Sequence, residues 1–190
     1  AHAGGGHAGD VIGGNGAETF TIAANGTRVR FDRTDPAPFF LDIGTTENLV
    51  LSASGGDDVI SAGNGLAGLI QLALDGGGGN DTITGGTGAD RLFGEADKDS
   101  LDGGNDNDLL DGGDGDDTLS GGPGDGDLLV GEEGADTFVY AVGNGRDEIY
   151  EWDETPGEVD RVQLQGFDIA DVRVSRDPWN YYLAMDGGDW

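Results

Sequence analysis

Large apolar residues recur about every nine positions through residues 76–139, and glycine-rich turns separate them. The seven positions are Ile83, Leu92, Leu101, Leu110, Leu119, Leu129 and Phe138. We expect each to be the middle of a three-residue strand in which only that side chain points inward. Two nonapeptides then form one coil, so alternate repeats lie in opposite sheets. The pattern predicts an all-β fold, a right-handed parallel β-roll or β-solenoid.

The seven nonapeptides share the frame Gly-Gly-x-Gly-x-Asp-x-U-x, in which U is the large apolar residue. Position one is glycine and position six is aspartate in every copy. The position-six aspartates are Asp81, Asp90, Asp99, Asp108, Asp117, Asp127 and Asp136. Departures occur at Glu95 and Glu132 in position two, at Asp97 and Asp106 in position four, and at one inserted residue near Gly126. We expect the geometry of these turns to vary.

The pattern is weaker before the array. Residues 1–75 contain degenerate copies of the frame, with Glu18 and Asp58 at position six. Between two of these copies, residues 22–51 break the period, and we expect irregular strands there that form wider coils of the same solenoid. The apolar run over 66–74 has glycines near both ends, which favours a strand over a helix.

After the array the composition changes. Residues 140–190 hold all the tryptophans and all the tyrosines. A stacked array needs a cap over its hydrophobic end, and this segment predicts a β-rich one. The run Gly143-Asn144-Gly145 predicts the turn of a β-hairpin between residues 138–142 and 148–152. The chain therefore divides into irregular coils (1–75), a regular roll (76–139) and a C-terminal cap (140–190).

Composition and charge narrow the function classes. The chain of 190 residues contains 39 glycines and only 7% aromatic residues, so its hydrophobic core is small. Its net charge of −29 excludes a general affinity for nucleic acid or anionic membranes. Cysteine is absent, and no apolar run approaches the roughly 20 residues of a membrane span. Without an initial methionine or signal-peptide pattern, the chain is expected to be a fragment of a longer protein.

The turns offer the oxygen ligands that calcium prefers. Calcium takes 6 to 8 oxygens at about 2.3 to 2.6 Å, and an ion between turns n and n+2 gives about five sites in the array. Besides the seven aspartates and Asp58, the predicted ligand positions are Gly76, Gly78, Gly85, Thr87, Gly94, Ala96, Gly103, Asn105, Gly112, Gly113, Asp114, Gly115, Gly122 and Gly124. Magnesium fits less well because it keeps its waters in a tight octahedron. Transition metals would prefer imidazole, and the only histidines are His2 and His7.

Other interpretations explain the pattern less well. A flexible acidic linker has no reason to place an apolar residue at position eight of every repeat, although such a linker describes the chain without calcium. No glycine run is followed by the Gly-Lys-Ser/Thr of a phosphate-binding loop. Neither a His-Glu-x-x-His nor a Gly-x-Ser-x-Gly motif is present. We therefore expect a binding module rather than an enzyme, with any catalysis in another part of a parent protein.

The nonapeptides resemble those of the RTX (repeats-in-toxin) family, the haemolysin-type calcium-binding repeats of exported bacterial proteins. The segment from Ala135 to Tyr150 is similar to the capping segment that follows the last block of repeats in such toxins. The resemblance implies a parallel β-roll with calcium held by the position-six aspartates and the turn carbonyls. It also implies export through a type I secretion system, guided by an uncleaved C-terminal signal.

These expectations combine into one hypothesis. The chain is expected to be a calcium-binding module of a secreted bacterial protein, disordered without calcium and folded outside the cell. The alternative is a calcium-stabilised adhesin or polysaccharide-binding module, whose glycan or surface ligand would contact Trp152, Trp179, Tyr181 and Tyr182.

Overall fold

The computed structural model describes residues 9–44, 48–151, 158–168, 172–176 and 181–185. All the regular secondary structure in these ranges is β-strand. Within the same ranges, no helix is long and apolar enough to cross a membrane. The strands are β1 (Gly9–Ile12), β2 (Thr19–Asn25), β3 (Arg28–Asp35), β4 (Phe39–Gly44), β5 (Asn48–Ser52), β6 (Val59–Ala62), β7 (Gln71–Gly78), β8 (Thr82–Thr87), β9 (Arg91–Ala96), β10 (Ser100–Asn105), β11 (Leu109–Asp114), β12 (Thr118–Ser120), β13 (Leu128–Glu133), β14 (Thr137–Ala141), β15 (Glu148–Tyr150), β16 (Arg161–Gln165), β17 (Val172–Arg176) and β18 (Tyr181–Met185).

The chain winds between two sheets. One has the order β1-β5-β7-β9-β11-β13-β15, and the other has the order β16-β14-β12-β10-β8-β6-β2-β3-β4. Within the array each strand pairs in parallel with the strand two repeats away, so that Leu101 lies between Ile83 and Leu119. The β-solenoid with two nonapeptides per coil is therefore confirmed.

The core is a column of single side chains from successive strands. All seven position-eight residues are at most 3% exposed, and Ile60 and Leu74 continue the column before the array. Burying one such side chain contributes about 1.5 to 3 kcal/mol. Because each strand supplies only one of them, the core is thin, and ordering so many glycines opposes folding.

The strands extend further than expected. Most strands of the array, such as β8, cover six residues rather than three, because pairing continues into the turn. For example, Gly86 and Gly104 are paired in register, as are Thr87 and Asn105. The first three turn positions are therefore part of the stacked structure and not loose connections.

The strands expected in residues 22–51 are present, but the prediction that they form further parallel coils is wrong for β3 and β4. Both run antiparallel, with β2 pairing to β3 and β3 to β4. The Asn25-Gly26 turn is too short for the crossover that a parallel connection needs, and Gly26 has a φ of 67°. Val29 and Phe31 are buried, whereas Arg28 and Arg30, which alternate with them, are exposed.

The predicted hairpin at Gly143-Asn144-Gly145 is also wrong. The strand before it, β14, pairs with β12 and β16, whereas β15 after it pairs with β13 in the opposite sheet. Gly143 and Gly145 have φ values of 98° and 87°, the signature of positions two and four in a repeat. The chain therefore crosses between the sheets here as it does in the array.

Two other expectations can be compared with the structure. The strand predicted over 66–74 begins only at Gln71, because Leu69 and Ile70 donate hydrogen bonds back to the Leu66 carbonyl in a turn.

In the cap, β16 continues the roll, and β17 and β18 form an antiparallel pair. Trp152 and Trp179 lie outside the described residues, as do the side chains of Tyr181 and Tyr182.

Turn shape is set by the stacking of coils. Glycines at position two of the array have φ values of 93° to 105°. Glu95 and Glu132 occupy that position with φ values of 79° and 69°, and Asp97 and Asp106 keep φ values of 77° and 78° at position four. A residue other than glycine with a positive φ of this size destabilises the folded state by about 1 to 3 kcal/mol. The departures from the frame therefore leave the turn geometry intact and introduce strain.

We expect Glu95→Gly to stabilise the protein in saturating calcium by about 1 kcal/mol, since glycine adopts the positive φ without strain. Glu133→Gly is the matched control, because Glu133 lies in β13 without a positive φ. The control should be neutral or destabilised by up to about 1 kcal/mol. Denaturant unfolding measures both, and a Glu95→Gly variant less stable than the unaltered chain would contradict the strain.

Candidate metal-binding turns

The position-six aspartates are linked from coil to coil by hydrogen bonds. Each is at most 3% exposed. Asp90 accepts the backbone N–H of Leu72, and in every other case the carboxylate accepts, at Oδ1, the backbone N–H of the position-six residue one coil earlier. Along one edge of the roll Asp81 donates to Asp99 at 2.7 Å, and Asp99 donates to Asp117 at 2.8 Å. Along the other edge Asp90 donates to Asp108 at 2.8 Å. The carboxylates therefore form two ladders, one at each edge.

The ladders continue beyond the regular repeats. On the N-terminal side Glu18 donates its N–H to Asp58, and Asp58 donates to Asp81. On the C-terminal side Asp127 donates to Asp147, and Asp136 donates to Asp160.

The sequence interpretation missed Asp147 and Asp160. A signal for both was present, because Asp147-Glu148-Ile149-Tyr150 and Asp160-Arg161-Val162-Gln163 repeat the Asp-x-U-x half of the frame. Searching for the whole nonapeptide hides them, since the glycine half is altered in both.

In the part of the chain that the structure describes, the second carboxylate oxygen of these aspartates is buried and has no hydrogen-bond partner. This holds for Oδ2 of Asp58, Asp81, Asp90, Asp99, Asp108, Asp117, Asp127 and Asp136. A buried acceptor left without a partner costs about 1 to 3 kcal/mol, and more when it is charged. Eight such oxygens in one small domain favour a bound cation, and hard carboxylate oxygen is a preferred ligand of calcium.

The free oxygen lies over the glycine at position one. A Cβ on Gly103 would stand 2.5 Å from Asp108 Oδ2 and 2.8 Å from the carbonyl oxygen of Gly121. The space above the glycine is thus bounded by a carboxylate oxygen and by a carbonyl oxygen of the next coil. Glycine is needed here because a side chain would fill this space, not because of the backbone angle.

The other predicted ligand residues lie in the same turns. Gly76, Gly85, Gly94, Gly103 and Gly112 stand at position one; Gly113 and Gly122 at position two; Gly78, Thr87, Ala96, Asn105 and Asp114 at position three; and Gly115 and Gly124 at position four. Two position-three carbonyls already accept hydrogen bonds, Ala96 from Gly79 at 3.2 Å and Asn105 from Gly88 at 3.2 Å. The position-one carbonyl of Gly121 likewise accepts a hydrogen bond, from Gly104 at 3.0 Å. The Oδ2 atoms of the position-six aspartates are therefore the best placed for an ion.

Burial makes the charged state of these carboxylates costly. Desolvation raises the pKa of Asp90 and Asp99 to about 7 and that of Asp108 to about 8. The pKa rises to about 6, again mainly through desolvation, at Asp58, Asp117, Asp136 and Asp147. Repulsion between carboxylates of successive coils adds to the shift, as between Asp99 and Asp117. Between residues 76 and 139 only Arg91 and Lys98 carry positive charge.

The profile of the RTX calcium-binding nonapeptide repeat matches the chain in four copies, over residues 44–65, 75–110, 97–128 and 111–147. These matches cover half of the chain, and the chain belongs to this family. The expected family is confirmed, and with it a calcium-binding module of structural rather than catalytic type. No curated protein matches the chain. The buried aspartates and their unpartnered oxygens fit the ion that the family implies.

Gly103→Ala should destabilise the calcium-bound roll by about 1 to 3 kcal/mol, because its Cβ displaces the Asp108 carboxylate and a carbonyl of the next coil. Gly78→Ala is the matched control, since a Cβ at Gly78 meets nothing within 4 Å and its φ is not positive. Calcium titration and denaturant unfolding measure both variants. Equal calcium midpoints for the two would show that the space above Gly103 is not needed.

The raised pKa values predict a definite pH dependence without calcium. Unfolded aspartate titrates near pH 3.9, whereas the folded values reach about 6 to 8. Between these limits the folded state holds more protons, so its stability falls as pH rises. In chelator we expect more β structure by circular dichroism at about pH 5.5 than at about pH 8, and saturating calcium should remove the difference. An increase in β structure with rising pH would contradict this assignment.

Proposed function

We propose that the chain is a folding module of a secreted protein, one that is disordered at low calcium and forms the roll when calcium is bound. The observation that carries the proposal is the set of eight buried aspartates, each with one oxygen hydrogen-bonded and the other without a partner. When its carboxylates are ionised, such a set stabilises a fold only if a cation balances their charge. Without one, the same carboxylates oppose folding.

The two carboxylate oxygens and the apolar residue of each repeat have different roles. The Oδ1 atoms hold successive coils in register through their hydrogen bonds to backbone N–H groups. The Oδ2 atoms and the position-one carbonyls would hold the ion, and calcium supplies positive charge at the turn. The apolar position-eight column then adds its burial once the coils are stacked.

The energetic scale is large enough to decide folding. One site at 100 times its dissociation constant stabilises the folded state by about 2.7 kcal/mol, and about five sites together would be comparable with the usual stability of a whole domain, about 5 to 15 kcal/mol. Binding and folding are then one equilibrium. A net charge of −29 and a thin core keep the chain unfolded when calcium is scarce.

This equilibrium fits a protein that is exported unfolded. Membership of the RTX family supports a secreted protein, and we propose that it passes through a type I secretion system before meeting calcium outside the cell. A disordered chain passes through a channel more easily than a stacked roll does. Folding after export would follow from the higher calcium concentration there.

Calcium titration followed by circular dichroism tests the proposal. The chain should be mostly unstructured in chelator, gain β structure cooperatively with calcium, and lose it when chelator is restored. β content that does not change between calcium and chelator would overturn the proposal.

Asp117→Asn tests the ligand assignment. It removes one buried charge and should raise the calcium concentration at the folding midpoint about tenfold or more, which corresponds to about 1.4 kcal/mol. Asp116→Asn is the matched control, because it removes the same charge from the exposed neighbouring residue. The control should shift the midpoint by much less. Equal shifts for the two variants would mean that overall charge, and not ligation, sets the response.

A further inference from the structure

Three carboxylates from different segments meet at the C-terminal end of the array. Asp136, Glu151 and Asp160 each place one carboxylate oxygen within 4.8 Å of the others. Asp136 is the position-six aspartate of the last regular repeat, whereas Glu151 follows β15 and Asp160 precedes β16. Neither Glu151 nor Asp160 belongs to a regular nonapeptide of the array.

Asp136 directs an unpartnered oxygen into this cluster. Its side chain is 0% exposed, and its Oδ1 accepts the N–H of Asp117 at 2.8 Å. Its Oδ2 has no hydrogen-bond partner among the described residues. A Cβ added at Gly131 would collide with Asp136 Oδ2 and with Glu151 Oε2, so both oxygens face the same space above that glycine.

This space differs from the corresponding space in the regular turns. Above Gly103 and Gly112 the Asp carboxylate faces a main-chain carbonyl of the next coil, Gly121 and Gly131 respectively. Above Gly131 the Glu151 carboxylate takes the place of that carbonyl. Counted from Asp147 at position six, Glu151 stands at position one of the next repeat, where each regular copy has glycine. A full negative charge thus replaces a neutral oxygen.

We propose that Asp136, Glu151 and Asp160 form a separate calcium site that closes the C-terminal end of the roll. The inference rests on the proposed calcium binding and adds two ligands that lie outside the regular array. The three carboxylates supply hard oxygens with a combined charge that favours a divalent cation. The ion would join the last repeat to β15 and β16, which end the two sheets of the roll.

The position of the site gives it a structural role. β15 pairs with β13 through three residues, from Glu148 to Tyr150, and β16 pairs with β14. Among the described residues, β15 and β16 of the final coil have a neighbouring strand on one side only. An ion held by residues next to both strands ties the final coil to the array from outside the strand pairing.

The test compares Glu151→Gln and Asp160→Asn with Glu148→Gln as the matched control. Glu148 lies three residues before Glu151 and is exposed, so its replacement removes the same charge nearby. Equilibrium dialysis with elemental analysis counts the calcium ions bound per chain. Each of the two site variants should bind one ion fewer than the unaltered chain, and the control should bind the same number.

Terbium luminescence provides a second, local measurement. Tyr140 and Tyr150 lie in β14 and β15, so terbium emission excited through these tyrosines reports ions near the C-terminal end of the roll. The terbium midpoint should weaken at least tenfold in both site variants and stay unchanged in the control. Site variants that keep the ion count and terbium midpoint of the unaltered chain overturn the inference.

Glu151→Asp is the second variant, to be used if circular dichroism shows that Glu151→Gln does not fold in saturating calcium. It keeps the charge but withdraws the carboxylate by about one carbon–carbon bond. The terbium midpoint should weaken as it does in Glu151→Gln, and an unchanged midpoint would overturn the site. If the unaltered chain binds no calcium, the proposed function fails. If the unaltered chain binds calcium and folds, but the site variants keep its ion count and its terbium midpoint, only this inference fails.

Discussion

One hydrogen bond, repeated from coil to coil, organises this molecule: the backbone N–H of each position-six residue donates to the carboxylate of the position-six aspartate in the next coil. The bond lies in the turn, one residue before the next strand, and it holds successive turns in register. It uses only one oxygen of each carboxylate. The other oxygen is left buried without a partner, so the interaction that aligns the coils also creates the need for a cation.

The thin core explains why that need cannot be met by packing alone. Each strand of the regular array contributes a single large side chain to the interior, and the glycines that permit the turns contribute none. The turns also carry strain where Glu95 and Glu132 adopt positive φ angles. Charge, strain and chain entropy therefore act against the apolar column. An ion at each turn changes the sign of the electrostatic contribution, which is why binding and folding are expected to be one process.

The two ends of the roll are closed in different ways. At the N-terminal end β3 and β4 extend one sheet antiparallel, and Arg30 lies 4.6 Å from the ring centre of Phe40, which is itself 61% exposed. A cation over the ring of an exposed edge strand discourages pairing with another chain. At the C-terminal end the coil pattern continues through β15 and β16, beside the cluster of three carboxylates.

The sequence by itself determined the roll, because its two signals, an apolar residue at position eight and aspartate at position six, repeat without exception from Ile83 to Phe138. Local pattern is enough there, since every coil has the same neighbours. It was not enough at Gly143 and Gly145, where the same glycines fit either a hairpin or a roll turn. Only pairing with distant strands decided between them. The ladder positions of Asp147 and Asp160 and the approach of Glu151 to Asp136 were likewise decided by tertiary structure, because contacts between residues 15 or more positions apart depend on how the coils stack.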